Sequence, residues 1–358
     1  MVNVRVPSQL IALALTGALL AMATPAGTRD LPLLPGPAPR PALEPVDGIG
    51  TPTDASCARC HEEIAAEWQG SLHHRAWQNP YFLRAYTLEP TPFCRKCHAP
   101  GADPSVEPPL EAREAGVGCT TCHVVPEGIV GTRTHPARAG GHEVIGDPRL
   151  ATPAACADCH DFALPGPPGF TMGPMQDTHG EHKRSAESAT TCQGCHMPSA
   201  PSRAGGTHRS HTFRVQGDRA MLARAVVVKS AELARGEVRL DLAPGAIGHA
   251  FPTGDLHRQV EVRVVPIDAA GRALTAGSSE ILGRTFRPVP AGRGGLIRVQ
   301  SSDTRLHGPR TLVVRVPPAT RRARWQIVWQ RLPPSLATRL GMVMSDHEMV
   351  VLEGVVTR

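Results

Sequence analysis

Apolar and polar residues alternate one by one along several short runs after about residue 218. Successive side chains of an extended strand point to opposite faces, so this alternation predicts strands that bury one face. Turn signals that contain Gly, such as residues 268–271, separate some of the runs. Residues 238–242 and 260–264 alternate strictly, and the apolar runs of residues 312–316, 325–329 and 349–352 follow them. We therefore predict an antiparallel β-sandwich domain over residues 218–358.

Residues 55–217 have a different pattern. Apolar side chains are sparse there, and Gly and Pro recur too often for long helices. We expect short helices, for example over residues 62–69, joined by irregular segments. The chain is thus predicted to be multidomain, with a mostly α-helical and irregular domain before the β-sandwich.

Two further segments precede these domains. Residues 24–54 are rich in Pro, which predicts an extended linker. Residues 1–23 begin with the positive charge of Arg5, continue with a short apolar core and end on an A-x-A pattern, which is typical of a secretory signal peptide. The apolar run is short for a membrane span, although an uncleaved anchor helix is the alternative. We expect an exported, soluble periplasmic protein without a transmembrane anchor after signal cleavage.

Cysteine occurs in one repeated motif. All 10 cysteines belong to C-x-x-C-H sequences, and none is left over. The motifs are Cys57-Ala58-Arg59-Cys60-His61, Cys94-Arg95-Lys96-Cys97-His98, Cys119-Thr120-Thr121-Cys122-His123, Cys156-Ala157-Asp158-Cys159-His160 and Cys192-Gln193-Gly194-Cys195-His196.

This spacing is the signature of covalent c-type haem attachment. The two thiols form thioether bonds to one porphyrin, and the adjacent histidine binds the iron from the proximal side. A zinc site does not require a histidine after every cysteine pair, and a disulfide framework gives no reason for the histidines. We therefore predict five covalently bound c-type haems, whose porphyrins serve as the core of residues 55–217. The predicted proximal iron ligands are His61, His98, His123, His160 and His196.

The net charge does not change this picture. The polypeptide is formally +6, but each haem adds two propionates that are ionised near neutral pH. The basic residues are dispersed, and residues 321–324 form the one short basic run. We therefore do not expect the protein to bind nucleic acid.

Several stretches around the motifs resemble the multihaem cytochromes of the cytochrome c552/c554 family. They are residues 68–73, 116–119, 159–162, 175–178, 195–198, 210–213 and 248–254. The resemblance implies a haem-packed domain, followed in some members by a β-domain. It also implies electron transfer between redox partner proteins through closely packed, mostly bis-histidine haems.

The resemblance also indicates distal ligands, which would bind the iron opposite the proximal histidine. His73 ends a W-x-x-S-x-H stretch, which favours it over His74. His142 lies in a loop that resembles a ligand-bearing loop before the fourth motif, with His135 as the alternative.

Two further distal candidates follow the fifth motif. His211 matches the S-H-x-F stretch of the family. His249 lies between Gly248 and a Phe-Pro-Thr-Gly stretch, so it would reach a haem from the predicted β-domain.

The fifth distal position stays open at this stage. His179 and His182 lie three residues apart and would share one face of a helical turn. Met175 is a chemically reasonable alternative because Met/His ligation raises a haem potential, and a vacant position is a further alternative. The remaining histidines are expected to have structural or surface roles; they are His208, His257, His307 and His347.

Two classes of function are compatible with this reading. The first is an electron carrier, and the second is an oxidoreductase that acts on a small nitrogen or sulfur compound at one open-coordination haem. We favour the carrier because no motif has the lysine variant that marks the active haem of pentahaem nitrite reductases. Tyr81 and Tyr86, the 2 tyrosines, also lie outside a recognisable haem-crosslinking context. We predict no catalytic residues, and a β-domain that shields haems or docks a partner.

Overall fold

The computed structural model describes residues 45–46, 50–132, 137–139, 141–163, 173–215, 217–290, 296–343 and 348–358. The predicted signal peptide, most of the predicted linker, His135 and His347 lie outside these residues. Within the part of the chain that is described, no helix has the length and apolar character needed to cross a membrane.

Short helices and small sheets form the part of the chain that carries the motifs. The helices are α1 (Asp54–Ala58), α2 (Glu62–Gln69), α3 (Pro80–Leu88), α4 (Pro92–His98), α5 (Leu110–Ala115), α6 (Cys119–His123), α7 (Ala154–His160), α8 (Thr178–Lys183) and α9 (Cys192–His196), with a 3-10 turn at Pro148–Ala151. The strands are β1 (Val124–Val125), β2 (Gly128–Gly131), β3 (Ala137–Ala139), β4 (His142–Gly146), β5 (Asp161–Ala163), β6 (Pro174–Asp177), β7 (Ser199–Pro201) and β8 (Thr207–Arg209). The predicted helix over residues 62–69 is confirmed by α2.

Four motifs lie entirely within one short helix each, namely α4, α6, α7 and α9. Residues three and four apart share a helix face, so the two thiols and the histidine of a motif point to the same side. Pro92 in the first turn of α4 and the Thr191 hydroxyl, which accepts the Gly194 N–H at 3.1 Å in α9, define two of the helix starts. The first motif begins in α1 and ends at His61, the N-cap of α2.

The rest of the chain is mainly antiparallel sheet. Its elements are α10 (Arg219–Ala223), β9 (Val226–Ala234), β10 (Glu237–Pro244), β11 (Gln259–Pro266), β12 (Ser278–Leu282), β13 (Arg284–Pro290), β14 (Leu296–Asp303), β15 (Arg310–Arg315), β16 (Arg322–Gln330), α11 (Pro334–Arg339) and β17 (Glu348–Thr357). One sheet has the order β15-β10-β9, a second has the order β12-β11-β16-β17, and β13 pairs with β14. All neighbouring strands in these sheets are antiparallel.

The alternation read from the sequence places the core correctly. Each of the five predicted runs coincides with β10, β11, β15, β16 or β17, and only Val316 lies beyond the end of its strand. In β11, Val260, Val262 and Val264 are each at most 1% exposed. Strands of both sheets contribute to one hydrophobic core. Each fully buried aliphatic side chain contributes about 1.5–3 kcal/mol to folding.

Four strands of this region were not predicted, because their sequences do not alternate. β9 begins with three consecutive valines, Val226 to Val228. The edge strand β12 exposes its first four residues, so its pattern carries no core signal. β13 and β14 pair with each other outside the two larger sheets.

The strands pack directly against the part that carries the motifs. Both parts belong to one compact unit, Leu33–Arg358. Arg284 in β13 donates hydrogen bonds to the carbonyl oxygens of Pro174 and Met175 in β6, at 3.0 and 3.1 Å. The N-cap residue of α3, Asn79, is also contacted, since Arg331 donates to its side-chain oxygen at 3.1 Å.

Candidate functional site

Four motif histidines face a second histidine from elsewhere in the chain. In every pair the ring centroids are 6.3 Å apart; the pairs are His61 with His142, His123 with His211, His160 with His73, and His196 with His249. A metal–imidazole bond is about 2 Å long and the ring centre lies about 1 Å further, so two imidazoles on opposite sides of one metal have centroids about 6 Å apart. The spacing of each pair therefore fits one metal ion between the rings.

In five histidines of the four pairs, and in His98, the other ring nitrogen is hydrogen-bonded. An Nδ1–H that donates to an oxygen leaves the Nε2 lone pair free to bind a metal and fixes the orientation of the ring. Six histidines have this arrangement: His98 with Ala76 O (2.7 Å), His123 with Val130 O (3.0 Å), His160 with Gln176 Oε1 (3.1 Å), His142 with Glu143 O (3.1 Å), His211 with Arg209 O (2.7 Å) and His249 with Ala250 O (3.0 Å).

Burial keeps several of these rings neutral. It lowers the pKa of His73, His98 and His196 to about 4 in each case. Neighbouring histidines lower the pKa of His73 further, because a second positive charge nearby is unfavourable. At neutral pH these imidazoles are uncharged, which is the form that binds a metal.

His98, the histidine of the second motif, has a different environment. Its ring stacks on Phe82, with centroids 3.6 Å apart and an angle of 7° between the rings. Across the described ranges, no histidine ring faces His98 at the distance seen in the four pairs. The nearby charged groups that act on it are Asp255 and Arg331, both from the β-rich part.

The cysteines show which motifs are neighbours. None of the ten forms a disulfide with another, which leaves all ten for thioether attachment. The side chains of Cys57 and Cys119 lie within hydrogen-bonding distance of each other, which places the first and third motifs side by side. Corresponding thiol contacts join the second motif to the fourth and the fourth to the fifth; they are Cys97 with Cys159 and Cys156 with Cys192.

The two histidine candidates for the fifth distal position are both on α8. On α8, His182 donates from Nδ1 to Gly248 O at 3.0 Å, and its Nε2 is buried without a hydrogen-bond partner. The Nδ1 of His179 lies 3.5 Å from a carboxylate oxygen of Asp161. Neither histidine makes a ring contact with His98 within the described residues. Met175 lies in β6.

The remaining described histidines make contacts outside the four pairs. They are His74, whose Nδ1 is 3.1 Å from Gln69 O, His208, whose Nε2 is 3.2 Å from Glu67, His257, whose ring lies 6.4 Å from that of Phe286, and His307, whose Nε2 is 3.2 Å from Asp303.

Two arginines near the motif histidines were missed by the sequence analysis. Burial lowers the pKa of Arg258, and its Nε is buried without a hydrogen-bond partner. Burial, and then the charge of Arg258, lowers the pKa of Arg331 to about 10. The charge of Arg258 acts on His160, and the charge of Arg331 acts on His98.

A buried guanidinium is stabilised by a carboxylate, and the propionates of a c-type haem supply carboxylates. The orphaned Nε of Arg258 is therefore a second feature, besides the histidine pairs, that fits haem. No sequence signal indicated it, because a single arginine near an alternating strand is typical of a solvated edge.

Comparisons with known proteins agree with this geometry. Residues 56–124, which contain the first three motifs, match the family described as Cytochrome c554 and c-prime. The fold is similar to the crystal structure of a penta-haem cytochrome c552 from Thermochromatium tepidum, with a TM-score of 0.64 and 22% sequence identity. The similarity covers 84% of this chain and 97% of that chain. At this identity it establishes the fold. Comparison with curated proteins gives no match.

Proposed function

We propose that this chain, a multihaem c-type cytochrome of the cytochrome c552/c554 type, carries electrons between redox partner proteins. It holds five covalently bound c-type haems, one at each C-x-x-C-H motif. The haem iron supplies one-electron redox chemistry. The polypeptide supplies the axial ligands, the spacing of the attachment sites and the charges around them.

The four histidine pairs carry this proposal. We assign His142, His211, His73 and His249 as the distal ligands opposite His61, His123, His160 and His196, because each pair has the 6.3 Å centroid separation of two axial imidazoles. Two imidazoles fill both axial positions of an iron and leave no position for a substrate. Such sites exchange electrons without binding a small molecule, which is what a carrier requires.

The contacts between motifs support short routes for electrons between neighbouring haems. The cysteine of one motif contacts a cysteine of another in three cases, so the attachment points of the first and third, second and fourth, and fourth and fifth motifs are adjacent. The fourth motif takes part in two of these contacts. Adjacent attachment points keep the redox centres close, as transfer between them requires.

The environment of His98 favours a second candidate function. In the described part of the chain this histidine has no paired histidine ring, while Asp255 and Arg331 supply charged groups nearby. An oxidoreductase that acts on a small nitrogen or sulfur compound needs one open axial position and groups that handle anions and protons. The second attachment site is the place in this chain where that chemistry would occur.

The proposal also covers the cellular location of the protein and the role of its two larger sheets. The signal-peptide pattern of residues 1–23 supports export to the periplasm, where covalent haem attachment takes place. The shared hydrophobic core of the two larger sheets supports a β-sandwich, which shields the haems or docks a partner. His249 makes this part of the chain a contributor to one iron site.

The test uses the purified, fully reduced holoprotein. It is mixed with an oxidised small redox protein and, separately, with nitrite, hydroxylamine or carbon monoxide, while the haem absorption is followed. A carrier is rapidly oxidised by the redox protein and does not sustain consumption of nitrite or hydroxylamine. Sustained turnover, together with a carbon monoxide adduct of one haem, would contradict the carrier and support the second candidate.

A further inference from the structure

The segment that carries His249 is held by a buried carboxylate from α8. Glu181 is 5% exposed. Its Oε2 accepts hydrogen bonds from the Ala250 N–H at 3.1 Å and from the Thr253 hydroxyl at 2.6 Å. Glu181 therefore binds the backbone directly after His249 and the side chain four residues beyond it.

The charge of Glu181 is balanced from the strand side. Its Oε1 accepts a hydrogen bond from Nη1 of Arg305 at 2.6 Å, and the two side chains are 2% and 5% exposed. Arg305 also pairs with Asp303 at 2.6 Å and donates to Pro252 O at 3.3 Å. Removing water from an ion pair is costly, so the geometry and the additional hydrogen bonds must compensate for the buried charges.

Two further residues of α8 bind the same segment. His182 donates to Gly248 O at 3.0 Å, on the N-terminal side of His249, and Thr178 Oγ1 lies 2.9 Å from Thr253 Oγ1. A Cβ atom at Gly248 would lie 2.7 Å from Nδ1 of His182, so glycine permits this close approach. Helix α8 thus holds residues 248–253 on both sides of His249.

We propose that Glu181 positions the His249 imidazole and that its charge lowers the reduction potential of the iron site formed by His196 and His249. The inference rests on the proposed role of His249 as a distal ligand. An anchored segment keeps the ring at its 6.3 Å separation from His196. A buried negative charge stabilises the oxidised iron, which is one unit more positive than the reduced form.

The experiment is a potentiometric titration of the full holoprotein monitored by electron paramagnetic resonance. The signal to follow is the one that His249→Ala removes. Glu181→Gln keeps the shape and the acceptor oxygen but removes the charge, so that signal stays low-spin and its potential rises. The expected rise corresponds to about a tenfold change in the redox equilibrium, which is about 59 mV for one electron. Glu232→Gln, at an exposed position of β9, is the matched control and leaves the potential unchanged.

A second variant tests the effect of the Glu181 charge on the reduction potential with less disturbance of the buried ion pair. Thr253→Val keeps the charge of Glu181 and removes one hydrogen-bond donor to it, so the potential moves in the opposite direction, downward. If His249→Ala removes a signal while Glu181→Gln and Thr253→Val leave its potential unchanged, the role of Glu181 is overturned and the ligand assignment stands. If His249→Ala leaves every signal unchanged, the ligand assignment itself is wrong, and this inference is overturned with it.

Discussion

At the scale of single residues, the sequence indicated which histidines to consider but not how they pair. His73 lies shortly after the first motif, yet its ring faces His160 of the fourth. His142 precedes the fourth motif and faces His61 of the first. The tertiary fold determines these pairings, so the residues next to each histidine do not predict them. Arg258 was missed for the same reason, since its burial depends on the packing of the two parts.

A distal assignment can be tested by removing one imidazole. We expect His249→Ala to convert one low-spin haem to a high-spin form, because the iron at His196 would lose its second strong ligand. All five haems should stay attached, since the cysteines are untouched. Electron paramagnetic resonance and intact mass measure the two outcomes.

The matched control for this variant is His307→Ala. His307 is about half exposed and pairs with Asp303 on the surface, so its loss should leave the haem spectrum as it is. A His249→Ala protein with the spectrum of the parent protein would contradict the assignment.

At the scale of elements, periodicity predicted the long strands and could not predict the short ones. β10 and β11 each bury every second residue over much of their length, which makes them visible in the sequence. The strands β1 to β8 have two to five residues each, too few for a period to emerge. The short motif helices were implied by the C-x-x-C-H spacing rather than by any amphipathic pattern.

Because the two sheets share one core, we expect substitutions at buried and exposed positions of neighbouring strands to differ in their effect on the free energy of unfolding. Leu240 in β10 is fully buried, whereas Val313 in the adjacent strand β15 is 40% exposed. We expect Leu240→Ala to lower the free energy of unfolding by about 2–5 kcal/mol, because it leaves a cavity in the core. Denaturant unfolding followed by circular dichroism measures the change. Val313→Ala should cost much less, and equal losses in the two variants would contradict the placement of the core.

At the scale of the whole molecule, the two parts of the chain are stabilised differently. The strands share a large apolar core, while a separate cluster in the motif part consists of Trp77, Phe82, Tyr86 and Ala99. The sequence indicated this contrast, because apolar residues are sparse over residues 55–217. It indicated a contact between the two parts through His249, but it did not indicate that α8 binds the segment around this histidine.

The number of haems follows from the use of every cysteine. Intact mass of the denatured protein should equal the polypeptide plus five haem masses, and a thiol assay should find no free cysteine. The double variant Cys119→Ala, Cys122→Ala should lose one haem mass and keep the other four. A parent protein with four haems or fewer would contradict the count.

We propose two histidine ligands for each of four irons, while His98 has no paired histidine ring in the described part of the chain. The most direct measurement is quantitative electron paramagnetic resonance of the fully oxidised holoprotein. We predict low-spin, bis-histidine signals that integrate to four of the five haems, and one haem with a distinct signal. Bis-histidine signals that integrate to three haems or fewer, or to all five, would contradict the account.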